Sequence, residues 1–261
     1  INSFIMSVFI LAPVIAPLIG QSILLFFYWK FIILFFILFS LVTTSSLIIN
    51  VDETLKESKK INLANIIKNF KEVLSNVNAM IYIACLGLLL GGLLTFINIC
   101  QPLYYNYFEV GTDFPLFFAL IASMLGLSSY LNSKYVWQFG AGKLVLTFSF
   151  LLMIWTLLNF TYQINYFSLN LVLFTIYIMI SFSFFGFIFG NLNALAINPF
   201  GHIAGYASSI IGALSTFVAL VVSGSSATFF DGTPNVVVFT LSLCSVLTFT
   251  LLFVQKRFLI P

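Results

Sequence analysis

Charged residues are scarce in this sequence, and none of them lies deep within an apolar stretch. They make up 7% of the 261 residues, whereas hydrophobic residues make up 61%. Charge at bilayer depth is costly and usually marks an ion or proton path, so these stretches supply no residue for one. They also contain no paired carboxylates, which argues against a membrane-embedded enzyme. The composition itself excludes an ordinary soluble domain.

Histidine and cysteine are almost absent, which removes most metal and nucleophile chemistry. His202 is the one histidine, and Cys85, Cys100 and Cys244 lie apart in apolar segments. Such cysteines are typical small core residues, and they suggest neither a disulfide framework nor a metal site. Basic and aromatic residues are not interleaved as in a nucleic-acid-binding surface. We therefore predict no catalytic residue, no metal, no cofactor and no nucleic-acid partner.

Long apolar stretches dominate the chain instead. A helix that crosses a bilayer needs about 20 mostly apolar residues. The sequence contains eight such stretches, which we place at 1–25, 31–50, 78–103, 114–131, 144–160, 166–197, 204–227 and 235–254. We predict an all-α integral membrane protein.

The few basic residues fall in every second gap between these stretches. They occupy positions 56–71, 134–143 and 256–257, and Lys30 is the exception. The intervening gaps hold Glu109, Asp113 and Asp231. Because short loops rich in Lys and Arg stay in the cytoplasm, both ends of this chain are predicted to be cytoplasmic.

The largest polar segment, 51–76, separates the second stretch from the third. Its second half repeats apolar residues at spacings of three and four, at Leu63, Ile66, Ile67, Phe70, Val73 and Leu74. This period predicts an amphipathic helix on the inner membrane surface, with an ordinary soluble linker helix as the alternative.

The linker divides the stretches unequally, two before it and six after it. Six spans match one half of a transporter that is built from inverted three-helix repeats. We therefore assign 1–50 to the last two helices of an N-terminal bundle, 51–76 to the cytoplasmic linker, and 77–261 to a six-helix C-terminal bundle. On this division we expect about four earlier spans to be missing from the sequence.

Neutral polar side chains within the stretches are the remaining candidates for substrate contact. Polar groups in apolar helices must face partners or a water-filled cavity. Interhelical hydrogen bonds and a substrate cavity are both open readings for them. The candidates for substrate binding, with one aromatic residue, are Asn98, Gln101, Tyr104, Asn191 and Asn193.

Small residues and prolines mark helix contacts and bends. Gly87 with Gly91, and Gly186 with Gly190, form two GxxxG pairs that allow backbones to approach closely. In the first stretch, two prolines four residues apart, Pro13 and Pro17, precede Gly20 and predict a kinked helix.

These residues carry a resemblance to a known family. The run Ala12-Pro13-x-x-Ala16-Pro17-Leu18-x-Gly20 resembles the antiporter motif in the fifth helix of the major facilitator superfamily. Its two-proline form is similar to that of the bicyclomycin-resistance (Bcr/CflA-type) drug exporters. The runs 52–55, 131–140, 190–214 and 231–234 resemble later segments of the same family, in the same order.

The resemblance implies a partial major facilitator fold, with eight of twelve transmembrane helices. It assigns Pro13, Pro17 and Gly20 to the antiporter motif and Glu53 to the cytoplasmic gate. It also implies efflux of small amphipathic drug-like molecules by alternating access, coupled to protons through an acid outside this sequence. The expected setting is a monomer in the bacterial cytoplasmic membrane.

Two alternatives remain open at this point. The same scaffold also serves uptake or exchange of a small nutrient such as an amino acid. An integral membrane enzyme or assembly factor is the third reading, and it would require a cluster of reactive residues at one membrane face.

Overall fold

The computed structural model describes residues 19–20, 22–52, 63–166 and 169–258. All regular structure in these ranges is helical, which confirms the predicted all-α class. The helices, in chain order, are α1 (Lys30–Asn50), α2 (Leu63–Ser75), α3 (Val77–Pro102), α4 (Phe114–Phe139), α5 (Ala141–Tyr166), α6 (Leu171–Ile197), α7 (Ala204–Thr228) and α8 (Asn235–Phe258).

Six stretches of the described residues are long and apolar enough to cross a membrane. One of them, Leu171–Thr228, consists of α6 and α7 joined by the 3-10 turn Asn198–Ile203. The protein is therefore a multi-pass membrane protein. The predicted stretch 1–25 lies mostly outside the described residues, although residues 22–26 are helical.

Side-chain caps fix the starts of two of the most apolar helices. The Asn76 side-chain oxygen accepts a hydrogen bond from the Ala79 amide at 3.0 Å, and α3 begins at the next residue. Asn170 does the same for α6, through the Leu173 amide at 2.9 Å. Each cap satisfies a backbone donor that has no partner within its helix.

Helix α3 lies at the centre of a bundle formed by α3–α8. It packs against α6, α7 and α8, while α4 and α5 both pack against α6, and α5 also packs against α8. The fully buried rings of Phe96, Phe174 and Phe185 fill the space between these helices. The buried apolar side chains of these helices thus form one continuous core, which extends from Val73 to Leu252.

The glycine pairs predicted from the sequence lie at the closest helix contacts, with one exception. A Cβ at Gly87 would lie 2.9 Å from the Ser215 carbonyl oxygen of α7, and one at Gly91 would lie 3.3 Å from the Ala219 Cα. Gly186 brings α6 equally close to α4, beside the Leu125 carbonyl oxygen. Gly190 has open space around it.

Hydroxyl groups join α5 to α8 inside the bundle. Thr156 and Ser245 share a hydrogen bond of 2.7 Å, and Ser242 donates to the Thr156 carbonyl at 3.0 Å. Nearer the other end of the same interface, Gln163 donates to the Asn235 side chain. Interhelical hydrogen bonds of this kind supply part of the attraction that the hydrophobic effect does not provide within lipid.

The sequence-based boundaries were wrong where polar residues continue a helix. The apolar stretches predict spans of 114–131 and 144–160, but α4 continues to Phe139 and α5 begins at Ala141. Only Gly140 separates them, with a φ of 77° that glycine adopts easily. The predicted start at 166 was also too early, because α5 ends at Tyr166 and α6 runs from Leu171 to Ile197.

The predicted amphipathic helix is present as α2. Its Val73 side chain is completely buried, and α2 packs against α3 and α7. The Glu72 carboxylate and the His202 Nε2 lie 2.9 Å apart, and this polar contact joins α2 to the turn between α6 and α7. Ile67 remains exposed, so contact of α2 with the inner membrane surface stays a prediction.

Helix α1 differs from the bundle helices because it has no buried residue. Its apolar side chains therefore face lipid or another part of a larger protein. The proposed division at 1–50, 51–76 and 77–261 stays a prediction.

Substitution of Gly87 tests the close contact of α3 with α7. Gly87→Ala adds a methyl group against backbone, so we expect it to lower the unfolding free energy by about 1–3 kcal/mol. Gly224→Ala in α7 is the matched control, since a Cβ there meets nothing within 4 Å. Unfolding midpoints of both variants in detergent would measure the effect. An equal response of the two variants would contradict the packing described here.

Candidate functional site

The end of α3 departs from regular helix geometry. The α-helix ends at Pro102 and continues as the π-helix Leu103–Tyr107, closed by the Phe108 amide bonded to the Leu103 carbonyl at 3.1 Å. Glu109 follows with a φ of 53°, in the left-handed region that residues other than glycine seldom occupy. Short π segments and strained backbone both concentrate at functional sites.

A cavity of about 490 Å³ lies beside this segment, and we call it the α3 cavity. Its polar lining consists of neutral groups, including Gln101, Asn106 and Thr112, and Tyr105 adds an aromatic ring. Leu24, from the segment before α1, completes one wall. The cavity can therefore donate and accept hydrogen bonds and contact apolar surface, which suits an uncharged or amphipathic small molecule.

Asn98 lies one helical turn before Gln101 on the exposed side of α3. Its amide nitrogen donates to the hydroxyl of Ser223 in α7 at 2.9 Å. Ser223 is almost completely buried, whereas Asn98 is exposed. One hydrogen bond leaves Asn98 with further donor and acceptor capacity, so its predicted role in substrate binding is compatible with this contact.

Tyr104 occupies a different environment from Gln101. Its side chain is completely buried, and its hydroxyl shares a hydrogen bond of 3.0 Å with Thr175 of α6. The rings of Phe108, Phe117 and Phe174 surround it at centroid distances of 5.5, 5.6 and 6.0 Å. Tyr104 thus joins α3 to α6, and its contact with a substrate stays a prediction.

Asn191 and Asn193 point to different sides of α6, because residues two apart on a helix do not share a face. Asn191 is buried, and its amide donates to the Asn132 side chain of α4 at 2.7 Å and to the Phe187 carbonyl at 2.8 Å. Asn193 is exposed. The structure does not bring the five predicted substrate-binding residues into one cavity. Contact of any of them with a substrate stays a prediction.

Comparison with known proteins gives this helical arrangement a family. Residues 1–223 match the family model described as Major Facilitator Superfamily. The chain belongs to the major facilitator superfamily.

A curated relative extends the match along nearly the whole chain. This chain is similar to a bicyclomycin resistance protein homolog from Haemophilus influenzae, with 28% identity over 258 residues. The match covers 95% of this chain and 63% of the relative. The chain therefore spans less than two-thirds of that protein. The two findings confirm the resemblance seen in the sequence.

Several residues assigned by the family resemblance lie outside the described residues. Pro13, Pro17 and Glu53 belong to this group. Gly20 is described, helical and partly buried, and a Cβ there would meet nothing within 4 Å. The antiporter-motif and gate assignments for this major facilitator chain accordingly stay predictions.

Sequence reasoning missed two features of the site. Asn132 falls within the run 131–140 of the family resemblance and is not among the predicted site residues, although its side chain is the partner of Asn191. Tyr105 and Asn106 were not selected, although they line the cavity with Gln101. The polar and aromatic residues that follow Pro102 are the sequence signal for these positions. A single sequence does not reveal the π-helix that orients their side chains toward the cavity.

The Asn132–Asn191 contact provides a test of packing between α4 and α6. Removing Asn191 leaves the buried Asn132 oxygen without its donor, and removing Asn132 takes away one of the two acceptors of the Asn191 amide, so both Asn132→Ala and Asn191→Ala should destabilise the protein. A double-mutant cycle of unfolding in detergent should give a coupling energy of about 0.5–2 kcal/mol. Additive effects of the two changes would show that the hydrogen bond contributes nothing to stability.

Proposed function

We propose that this chain forms the larger part of a proton-coupled exporter of small amphipathic drug-like molecules. The similarity to a bicyclomycin resistance protein homolog along 95% of the chain carries the proposal. Removal of a compound from the cell confers resistance to it, and this membrane-spanning scaffold supplies the helical framework for that movement. We place the protein as a monomer in the bacterial cytoplasmic membrane, with both ends of this chain in the cytoplasm.

The chemistry of the α3 cavity supports a substrate of this class. Neutral amide and hydroxyl groups lie beside Tyr105 and Phe114, and the lining contains no charged side chain within the described residues. A zwitterionic nutrient would require charged side chains that bind its cationic and anionic groups. The cavity instead favours a molecule with a few hydrogen-bonding groups and a substantial apolar surface.

The connection of α3 to its neighbours supports alternating access. Glycines allow α3 to lie directly against α7, and the π-turn after Pro102 gives its end a geometry distinct from the rest of the helix. In our proposal the bundle α3–α8 moves as one body relative to the helices before the linker. Protonation of an acid outside this chain biases the two states, because the described membrane-spanning cores provide none.

Transport by the full-length protein tests direction and coupling. Cells that lack their own pumps and express the protein should accumulate less of a fluorescent amphipathic drug than cells with an empty vector. Collapse of the proton gradient with an uncoupler should abolish the difference. Gradient-dependent accumulation of the compound inside the cells would instead indicate uptake and overturn the proposal.

The role of the α3 cavity is tested by Gln101→Ala. Loss of one neutral hydrogen bond to substrate should weaken transport by about three- to tenfold, corresponding to about 0.5–1.5 kcal/mol. The effect should appear mainly in the substrate concentration needed for half-maximal transport. Gln138→Ala is the matched control, because Gln138 is an exposed glutamine of α4 outside the cavity. An identical effect of both variants on transport would show that the substrate does not bind in the α3 cavity.

A further inference from the structure

A second cavity, of about 430 Å³, lies at the opposite end of the bundle from the α3 cavity. Residues near the start of α3 and α5 and near the end of α6 and α8 meet there. Its lining residues are Tyr82, Gly142, Lys143, Val145, Leu146, Leu195, Leu252, Gln255 and Lys256. Among the described residues, those lining this basic cavity include two lysines and no acid.

Lys143 lies in the first turn of α5, where a cation is electrostatically unfavourable. The positive end of the helix dipole is at that terminus, and an anion rather than a lysine is stabilised there. Lys256 differs, because it lies in the last turn of α8, where a cation interacts favourably with the helix end. The Lys143 ammonium lies 5.8 Å from the centroid of the Phe139 ring, and no acidic residue of the described chain lines the cavity beside it, so an anionic ligand would be favoured there.

The same helix start offers backbone donors to an anion. The Gly140 carbonyl accepts the Leu144 amide at 3.2 Å, so the amides of residues 141–143 precede the first hydrogen bond within α5. Gly142 lines the cavity, and a Cβ there would meet nothing within 4 Å. An oxyanion can thus approach the backbone closely, as at other helix N-termini that bind phosphate.

Buried and apolar groups form the rest of the basic cavity. Gln255 is only 1% exposed, and its amide is held in place by a 2.9 Å hydrogen bond to the Asn78 side chain. Leu146, Leu195 and Leu252 supply an apolar wall below the two lysines. A phosphate with an attached acyl chain would match both parts of this surface.

We propose that the basic cavity binds a phosphate group, carried by an anionic phospholipid or by a free phosphate ester. Basic pockets between transmembrane helices are suited to acidic lipid headgroups. The apolar wall favours the lipid, because a free ester gains nothing from it. The site is separate from the α3 cavity and does not depend on the direction of transport.

Native mass spectrometry of the full-length protein tests this site. The protein would be taken from vesicles of phosphatidylcholine with and without phosphatidylglycerol. We expect retained phosphatidylglycerol, and about a fivefold loss of affinity for each lysine removed in Lys143→Gln and Lys256→Gln. Lys134→Gln is the matched control, since it removes a basic residue of α4 that does not line the cavity. Equal losses in all three variants would indicate general surface charge and overturn the proposal.

Two further variants separate the site from any effect on folding. Lys143→Arg with Lys256→Arg should retain binding, because the charge is kept. Gly142→Leu should abolish it without any change of charge, because the side chain blocks the helix start. Retained binding in Gly142→Leu would contradict the geometry described here.

A separate arm distinguishes the two sources of phosphate. Glycerol phosphate would be added to protein in phosphatidylcholine alone, and its binding followed in the same way. Binding of phosphatidylglycerol without glycerol phosphate identifies the lipid as the ligand. Binding of both identifies a free phosphate site, and binding of neither overturns the proposal.

Discussion

Close contact of α3 with the helices around it is the interaction on which this bundle depends. Within lipid the hydrophobic effect gives helices little reason to associate, so packing and interhelical hydrogen bonds must supply the attraction. Gly87 and Gly91 remove the side chains that would hold α3 away from α7. The hydroxyl groups between α5 and α8 then form hydrogen bonds at distances that close packing has already set. Both cavities lie at the ends of this contact region, where the packing of α3 and its neighbours leaves space.

Much of the fold was predictable because the bilayer restricts what an apolar segment can do. A stretch of about 20 apolar residues must form a helix, since its backbone groups find no water inside the membrane. The predicted starts and ends of α1, α3 and α7 therefore lie within a residue or two of the observed bounds. The boundaries of α4 and α5 were less predictable, because a helix can leave the hydrocarbon region without ending. Lys134 and Lys143 indicate where the chain leaves the hydrocarbon region, but they do not indicate where α4 ends or where α5 begins.

The candidate site was less accessible to sequence reasoning. Asn98, Gln101 and Asn191 could be selected from the sequence as neutral polar residues, but the sequence did not show which polar side chains contact each other. Asn191 pairs with Asn132, whereas Gln101 lines the cavity. That difference depends on helix rotation and on the π-turn after Pro102, which are set by tertiary packing. The basic cavity is also invisible in the sequence, because its two lysines are separated by 112 intervening positions and become neighbours only at the shared end of α5 and α8.

The single-residue connection between α4 and α5 restricts how the bundle can change shape. Phe139 and Ala141 flank one glycine, so their Cα atoms can separate by at most about 7 Å. The end of α4 and the start of α5 are therefore held close together. No connection of this length joins the start of α4 to the end of α5. Any divergence of α4 from α5 must widen toward the membrane face that bears the α3 cavity.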